Sequence, residues 1–188
     1  MDLSYADTLC VIEEVLDPRT CDELIRISET GAKFRPSAIR ATETTDDESE
    51  KVDRVRRSSD SIVIDFGAVA FIDAVYEKIT RLIGCEISQL EPMQVVRYGP
   101  GDRFQPHHDA DDTLRRRKTV LVYLNDRFDG GYTYFPMIET AIQPLTGAAL
   151  IFDNIDLAGE LIPESLHEST PILSGVKYVC NVWVHDEY

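Results

Sequence analysis

The sequence predicts a mainly β domain with flanking helices (α+β), and three observations carry that reading. From Glu91 onward, short apolar runs recur every ~8–12 residues between turn formers, the spacing of a β-sandwich or barrel. Before Glu91, only two segments have helical periodicity. The chain has 188 residues, 43% of them hydrophobic, which suits one domain, 1–188, with a substantial core.

Taken in order, Thr8 to Leu16 reads as a strand ending at Asp17-Pro18. Thr20 to Thr30 reads as an amphipathic helix with Cys21, Leu24, Ile25 and Ile27 inward and Gly31 as its stop. Residues 41–59 are polar and lack apolar periodicity, so a mobile loop is expected, either a lid or a disordered stretch. Ser61 to Phe66 alternates as a strand, and Gly67 to Ile83 fits a second helix. Residues 1–90 therefore form a support region, and 91–188 the strand-rich core. The core strands are expected at Met93–Tyr98, Lys118–Leu124, Thr133–Phe135, Thr140–Pro144, Ala148–Phe152 and Val176–Val184. Gly99-Pro100-Gly101, Asp129-Gly130-Gly131, Pro136, Pro144 with Gly147, and Ser174-Gly175 break them.

The formal net charge is -15, from 19 Lys plus Arg against 34 Asp plus Glu. Such a surface repels phosphate backbones and argues against nucleic acid as a partner. It either serves solubility alone or favours a cationic peptide or protein. No apolar run approaches the roughly 18 residues of a membrane span, and Met1 to Asp7 is acidic rather than signal-like. Cys10, Cys21, Cys85 and Cys180 are scattered, without a C-x-x-C pair. Cys10, Cys85 and Cys180 have apolar neighbours in sequence, so buried free thiols in a reducing compartment, the cytoplasm, are expected.

All four histidines, His107, His108, His167 and His185, lie in the strand-rich half. On a strand, His107 and Asp109 would share one face while His108 points away. A third ligand must come from elsewhere, and His167 is the candidate. Two imidazoles and a carboxylate on one side of an ion leave three positions open, which suits non-haem Fe(II) binding a co-substrate and O2. Zinc in a hydrolase is the competing reading, though it keeps fewer open positions. Alone, an H-x-D triplet is weak. The order H-x-D, distal His, then Lys177 ten residues on is far more specific. Lys177 sits in an apolar strand and needs a counter-charge, which a dicarboxylate chelating the metal through its other end would supply.

Matching segments run in order: Arg97-Tyr98-Gly99-Pro100-Gly101-Asp102-Arg103-Phe104-Gln105-Pro106-His107-His108-Asp109, Thr119-Val120-Leu121-Val122-Tyr123-Leu124-Asn125, and Gly130-Gly131-Tyr132-Thr133-Tyr134-Phe135-Pro136. Ser165-Leu166-His167-Glu168-Ser169-Thr170-Pro171 and Gly175-Val176-Lys177-Tyr178 with Trp183-Val184-His185 follow. In these the chain resembles the prolyl 4-hydroxylase branch of the 2-oxoglutarate/Fe(II)-dependent dioxygenases, over about Met93 to His185.

The resemblance implies a double-stranded β-helix (jelly-roll) core. It implies Fe(II) on His107, Asp109 and His167, and 2-oxoglutarate held by Lys177 with hydroxyls from Tyr98 and Thr119. Trp183 would line the co-substrate pocket. Arg116, His185, Phe104 and Tyr123 would contact substrate. O2 completes the cofactor set, with ascorbate compatible as a reductant. The implied reaction hydroxylates an unactivated C–H, on a prolyl residue of a peptide or protein, as 2-oxoglutarate becomes succinate and CO2. The competing substrate is a free amino acid or other small molecule. A metal-bound but non-catalytic peptide-binding module is the reading from another class.

Three positions depart from the family pattern. Phe104 stands where a substrate-contacting tyrosine is frequent, Tyr132 where a glutamate is usual, and Tyr178 where tryptophan is more frequent. Asp111 and Asp112 lie close enough in sequence to support the metal or to be solvated loop acids.

Overall fold

The computed structural model describes residues 9–31, 33–37, 39–40, 50–51, 58–111 and 113–185. The chain opens with strand β1 (Cys10–Ile12) and helix α1 (Pro18–Gly31), then β2 (Arg35–Pro36), β3 (Ile39–Arg40), β4 (Glu50–Lys51) and β5 (Asp60–Ile64). Helix α2 (Ala70–Ile83), β6 (Met93–Tyr98), β7 (Phe104–His107) and β8 (Arg116–Tyr123) follow. The remaining strands are β9 (Asp129–Gly130), β10 (Thr133–Phe135), β11 (Thr140–Ile142), β12 (Ala149–Asp153), β13 (His167–Ser169), β14 (Ile172–Ser174) and β15 (Lys177–His185).

Local chemistry sets the helix ends. The Asp17 carboxylate accepts from the Thr20 backbone N–H at 3.0 Å and from the Thr20 hydroxyl at 2.7 Å, and Pro18 then opens α1. Helix α2 ends at Gly84, whose φ of 69° lies in the left-handed region. Thus α1 begins two residues earlier than its periodicity predicts, and α2 three residues later.

Seven strands form the large antiparallel sheet, in the order β1-β12-β8-β15-β6-β5-β2. A four-stranded sheet, β11-β10-β13-β7, faces it, as the double-stranded β-helix expectation requires. Side-chain alternation sorts the two cores. On one face of the large sheet, Val95, Val120, Val122, Cys180 and Val182 pack with Leu24, Ile72, Val75 and Ile79 of the helices. On the other, Val96, Tyr98, Leu121, Tyr123 and Val179 pack with Phe135 and Phe152. Both faces of the central strands are therefore buried, so they read in sequence as continuous apolar runs rather than alternating ones.

The support region is more deeply built in than a helical layer. Strand β1 pairs with β12 at one edge of the large sheet, and β5 pairs with β6 near the other. The first predicted strand is shorter than expected, with Cys10–Ile12 paired and residues 13–16 turning toward α1. The expected 41–59 loop is also narrower. Residues 41–49 and 52–57 lie outside the described residues, but Glu50–Lys51 pairs with Ile39–Arg40. Ser59 is buried, and its hydroxyl donates to that of Ser37 at 3.0 Å. The thiols differ from expectation too: Cys10 is exposed and Cys85 half-buried, whereas Cys21 and Cys180 are buried. No described helix is long and apolar enough to cross a membrane.

Candidate metal and co-substrate site

His107 and His167 are direct cross-strand partners, on β7 and β13. The segment around His167 carries no strand signal in the sequence, yet His167 is the first residue of a strand. His107 is the last residue of its own strand, and Asp109 lies on the bend beyond it. The bend, rather than strand alternation, brings the carboxylate back to the imidazoles. His108 turns away, as expected, and its Nδ1 lies 3.0 Å from the Ser165 hydroxyl.

The ligand atoms of His107, Asp109 and His167 all lie within 4.8 Å of one another. His107 Nε2 is 3.7 Å from Asp109 Oδ1, and His167 Nε2 is 3.8 Å from Asp109 Oδ2. The backbone fixes both tautomers. His107 Nδ1 faces the Gln105 carbonyl and His167 Nδ1 the Ser165 carbonyl, each at 2.9 Å. A carbonyl only accepts, so each Nδ1 carries a proton and Nε2 is the nitrogen left to offer a lone pair to a metal.

Aromatic rings hold the imidazoles in place. Phe104 stacks on His107 with centroids 3.5 Å apart, while Phe135 and Phe152 flank His167 at 5.6 and 5.0 Å. Burial alone would raise the Asp109 carboxyl. The imidazoles of His167 and His107, the Arg116 guanidinium and the Thr119 hydroxyl together hold it well below the usual carboxylate range. The group is ready to bind a cation.

The second half of the site gathers around Lys177, on β15. Its side chain is 1% exposed, and its ammonium donates to the Gly131 carbonyl at 2.7 Å and the Ser169 hydroxyl at 3.2 Å. No acid pairs with it among the described residues, and burial drives its pKa down from 10.5 to about 7. The Tyr98 and Tyr123 rings lie 5.4 and 5.7 Å from the ammonium. Gly131 makes the approach feasible: its φ is +65°, and a Cβ there would sit 2.5 Å from Ile172 Cδ1.

His167 and Ser169 are two residues apart on β13, so their side chains share a face roughly 6.6 Å apart. The carboxyl carbons of a five-carbon diacid, four C–C bonds apart, are separated by roughly 5 Å. One metal ligand, His167, and the ammonium's partner Ser169 thus lie on the same face of one short strand. Trp183 adds a second indication: its indole N–H is buried without a partner among the described residues. An acid-free buried ammonium and an orphaned donor are what a 2-oxoglutarate site presents, and the two-histidine, one-carboxylate set fits Fe(II).

Other expected contacts are redistributed. The family resemblance implies Thr119 beside Lys177. Instead its hydroxyl donates to Asp109 Oδ2 at 2.7 Å, because Thr119 opposes Trp183 at the far end of the β8–β15 pair. The same resemblance implies that Tyr123 touches substrate. It is fully buried toward Lys177, its hydroxyl 2.8 Å from that of Thr133, because it occupies an inward position of β8. Arg116 and His185 are joined through Glu91. The Glu91 carboxylate accepts two 2.6 Å bonds from Arg116 and lies 2.7 Å from His185 Nε2. Arg116 also donates to the Asp109 carbonyl at 3.2 Å and stacks 3.7 Å over Trp183. Burial raises the Glu91 carboxyl, and Arg116 and His185 more than reverse this.

Asp111 caps its own turn, accepting from the Thr113 and Leu114 backbones. Asp112 lies outside the described residues. Tyr178 turns to the helix side, where its hydroxyl donates to Glu29 at 2.7 Å.

Sequence reasoning missed Ser169, Glu91 and Thr133. Ser169 was within reach, two residues past His167 on what alternation would make the same face. Glu91 and Thr133 join the site only through strand register.

Residues 93–185 match the family model described as the 2OG-Fe(II) oxygenase superfamily. A protein of Acanthamoeba polyphaga mimivirus assigned as a prolyl 4-hydroxylase is 29% identical over 189 residues, covering 94% of this chain and 73% of that protein. The human prolyl 4-hydroxylase subunit alpha-1 is 32% identical over 126 residues, 61% of this chain and 24% of the subunit. Among solved structures, the viral collagen prolyl hydroxylase of Paramecium bursaria Chlorella virus-1, in complex with 2OG, superposes with a TM-score of 0.73 at 25% identity, covering 96% of this chain and 97% of that one. The chain is an enzyme of the 2-oxoglutarate/Fe(II) class, with Fe(II), 2-oxoglutarate and O2 as its cofactors. Its ligand triad, its jelly-roll core and these relatives together place it in the prolyl 4-hydroxylase branch of the 2OG-Fe(II) oxygenase superfamily.

Proposed function

We propose that the chain hydroxylates a prolyl residue in a peptide or protein while converting 2-oxoglutarate to succinate and CO2. Lys177 is the observation that carries the co-substrate half, a buried ammonium without an acid. His107, Asp109 and His167 would hold the metal, the histidines through Nε2. With 2-oxoglutarate and O2, Fe(II) supplies the oxidising power for an unactivated C–H. The protein's own tasks are to bind, orient and exclude water.

Lys177 anchors the distal carboxylate, with Ser169, Tyr98, Tyr123 and Thr133 around it. The buried Trp183 indole N–H is a further donor left for the co-substrate. Phe104 shields one face of His107 and forms an apolar wall next to the metal. Arg116, Glu91 and His185 form a charged edge beside it, suited to peptide amides. The collagen-acting viral relative and the prolyl 4-hydroxylase relatives support proline as the target.

A free amino acid is the second reading, favoured by Phe104, which brings no hydroxyl to the target. Unpaired thiols suit a reducing compartment such as the cytoplasm. The support region and the core work as one unit, since β1 and β5 complete the sheet that carries Lys177.

The test is mass spectrometry for a +16 Da product with Fe(II) and 2-oxoglutarate, comparing proline peptides, proteins and free proline. A hydroxylated peptide is expected; product from free amino acids alone would overturn the peptide assignment.

A further inference from the structure

Asn154 belongs to neither the ligand set nor the co-substrate pocket, yet it is fully buried one residue past β12. Its backbone N–H donates to the Arg117 carbonyl at 2.8 Å, and its carbonyl accepts from Ile162 at 2.9 Å. The side-chain Nδ2 donates to the Thr119 hydroxyl at 2.8 Å, and that hydroxyl donates to Asp109 Oδ2 at 2.7 Å. Asn154 Oδ1 is buried without a partner among the described residues.

We propose that Asn154 is a positioning residue for the metal centre: it fixes the direction of the Thr119 proton, so that Asp109 Oδ2 is engaged and Asp109 binds the metal through Oδ1 alone. This rests on the reading of His107, Asp109 and His167 as the metal ligands.

A threonine hydroxyl has one proton to give. An ionised Asp109 can only accept, so it needs that proton. An acceptor at position 154 would compete for it, and an apolar group would leave the hydroxyl free to turn away, whereas an amide N–H leaves one arrangement: accept from Asn154 and donate to Asp109. The orientation of the Asn154 amide follows from the ionised state of Asp109. An apolar side chain of similar volume would avoid the unpaired Oδ1, so the amide contributes through its bond to Thr119.

The consequence is a coordination number. Two imidazoles and one carboxylate oxygen leave three positions on a six-coordinate ion, two for 2-oxoglutarate and one for O2. If Asp109 bound through both oxygens, one of those would be lost.

The test uses the ligand-free chain with Mn(II) alone and reads water-proton relaxivity per bound ion, which reports the number of exchangeable waters. Asn154→Asp keeps the shape but removes the donor; Asn154→Leu removes it without adding charge; Thr119→Val removes the proton itself. All three are expected to bind Mn(II) with relaxivity lowered by about one third, three waters becoming two. Wild-type relaxivity in a folded Asn154→Asp or Asn154→Leu chain would overturn the proposal. So would loss of folding in both, since Asn154 would then act on the scaffold. A wild-type chain that fails to bind Mn(II) would instead overturn the metal reading beneath it.

Discussion

The two ends of the cavity solve opposite electrostatic problems. At the metal end every charged group has a protein partner. The Asp109 carboxylate accepts from Thr119 and its backbone carbonyl from Arg116, Arg116 is held by Glu91, and Glu91 by His185. At the other end Lys177 has two neutral acceptors and no acid among the described residues. The first end is preorganised without any ligand, whereas the second is left unbalanced until an anion arrives. Desolvation is the common cause. A buried charge must be matched, and the match comes either from the fold or from a ligand. Where the fold supplies it, the site is preorganised; where it does not, a buried positive charge is left for an anion to match.

Removing a ligand attacks the preorganised end directly. His167→Ala should abolish metal binding and succinate formation, a loss above ~100-fold, since even outer-shell partners contribute 10–100-fold. Calorimetric Mn(II) titration and succinate detection check it, and retained turnover would remove His167 from the ligand set.

Lys177→Met attacks the other end alone. Affinity for 2-oxoglutarate should fall by roughly 10–100-fold, the loss of a charged hydrogen bond, with Mn(II) affinity intact. The same variant tests the imbalance through pH. In the ligand-free chain the Lys177 pKa lies near 7, below its ordinary 10.5. The folded state therefore binds fewer protons than the unfolded state between those values, and stability rises with pH across that window. A bound carboxylate raises the pKa again, so 2-oxoglutarate binding takes up a proton and weakens by up to about tenfold per pH unit above 7. Lys177→Met should flatten both dependences, as read by denaturant melts and calorimetry at pH 7, 8 and 9.

Smaller effects separate the supporting groups. Glu91→Gln weakens the link between Arg116 and His185 and should lower stability by about 1–3 kcal/mol in urea titration, leaving 2-oxoglutarate affinity unchanged. Phe104→Tyr should leave stability within about 0.5 kcal/mol and metal affinity as it was. Its use is in kcat/KM: a rise for proline peptides over free proline would place position 104 against a peptide.

Legibility differed between the same two regions. The metal triad was readable because ligand chemistry restricts residue type, and because Lys177, a lysine inside an apolar strand, needs an anion to stay charged. The helices were readable from Leu24, Ile72, Val75 and Ile79, whose spacing is local. Thr119 and Tyr123 were misplaced because both are inward residues of one strand, and sequence alternation does not say which end of the strand faces which ligand. Register against Trp183 and Val179 decides that. Cys10 was expected inside because Leu9 and Val11 flank it, yet β1 is a sheet edge and leaves it exposed.

By itself the sequence determined the mainly β class with its two helices, the three metal ligands and the acid-free lysine, since these follow from residue type and short-range spacing. Only the tertiary structure decided that His107 and His167 face each other, that Thr119 serves Asp109 through Asn154, and that Glu91 ties Arg116 to His185. Those relations join residues up to 94 positions apart through antiparallel register, and register is set by how two sheets bury their faces against each other.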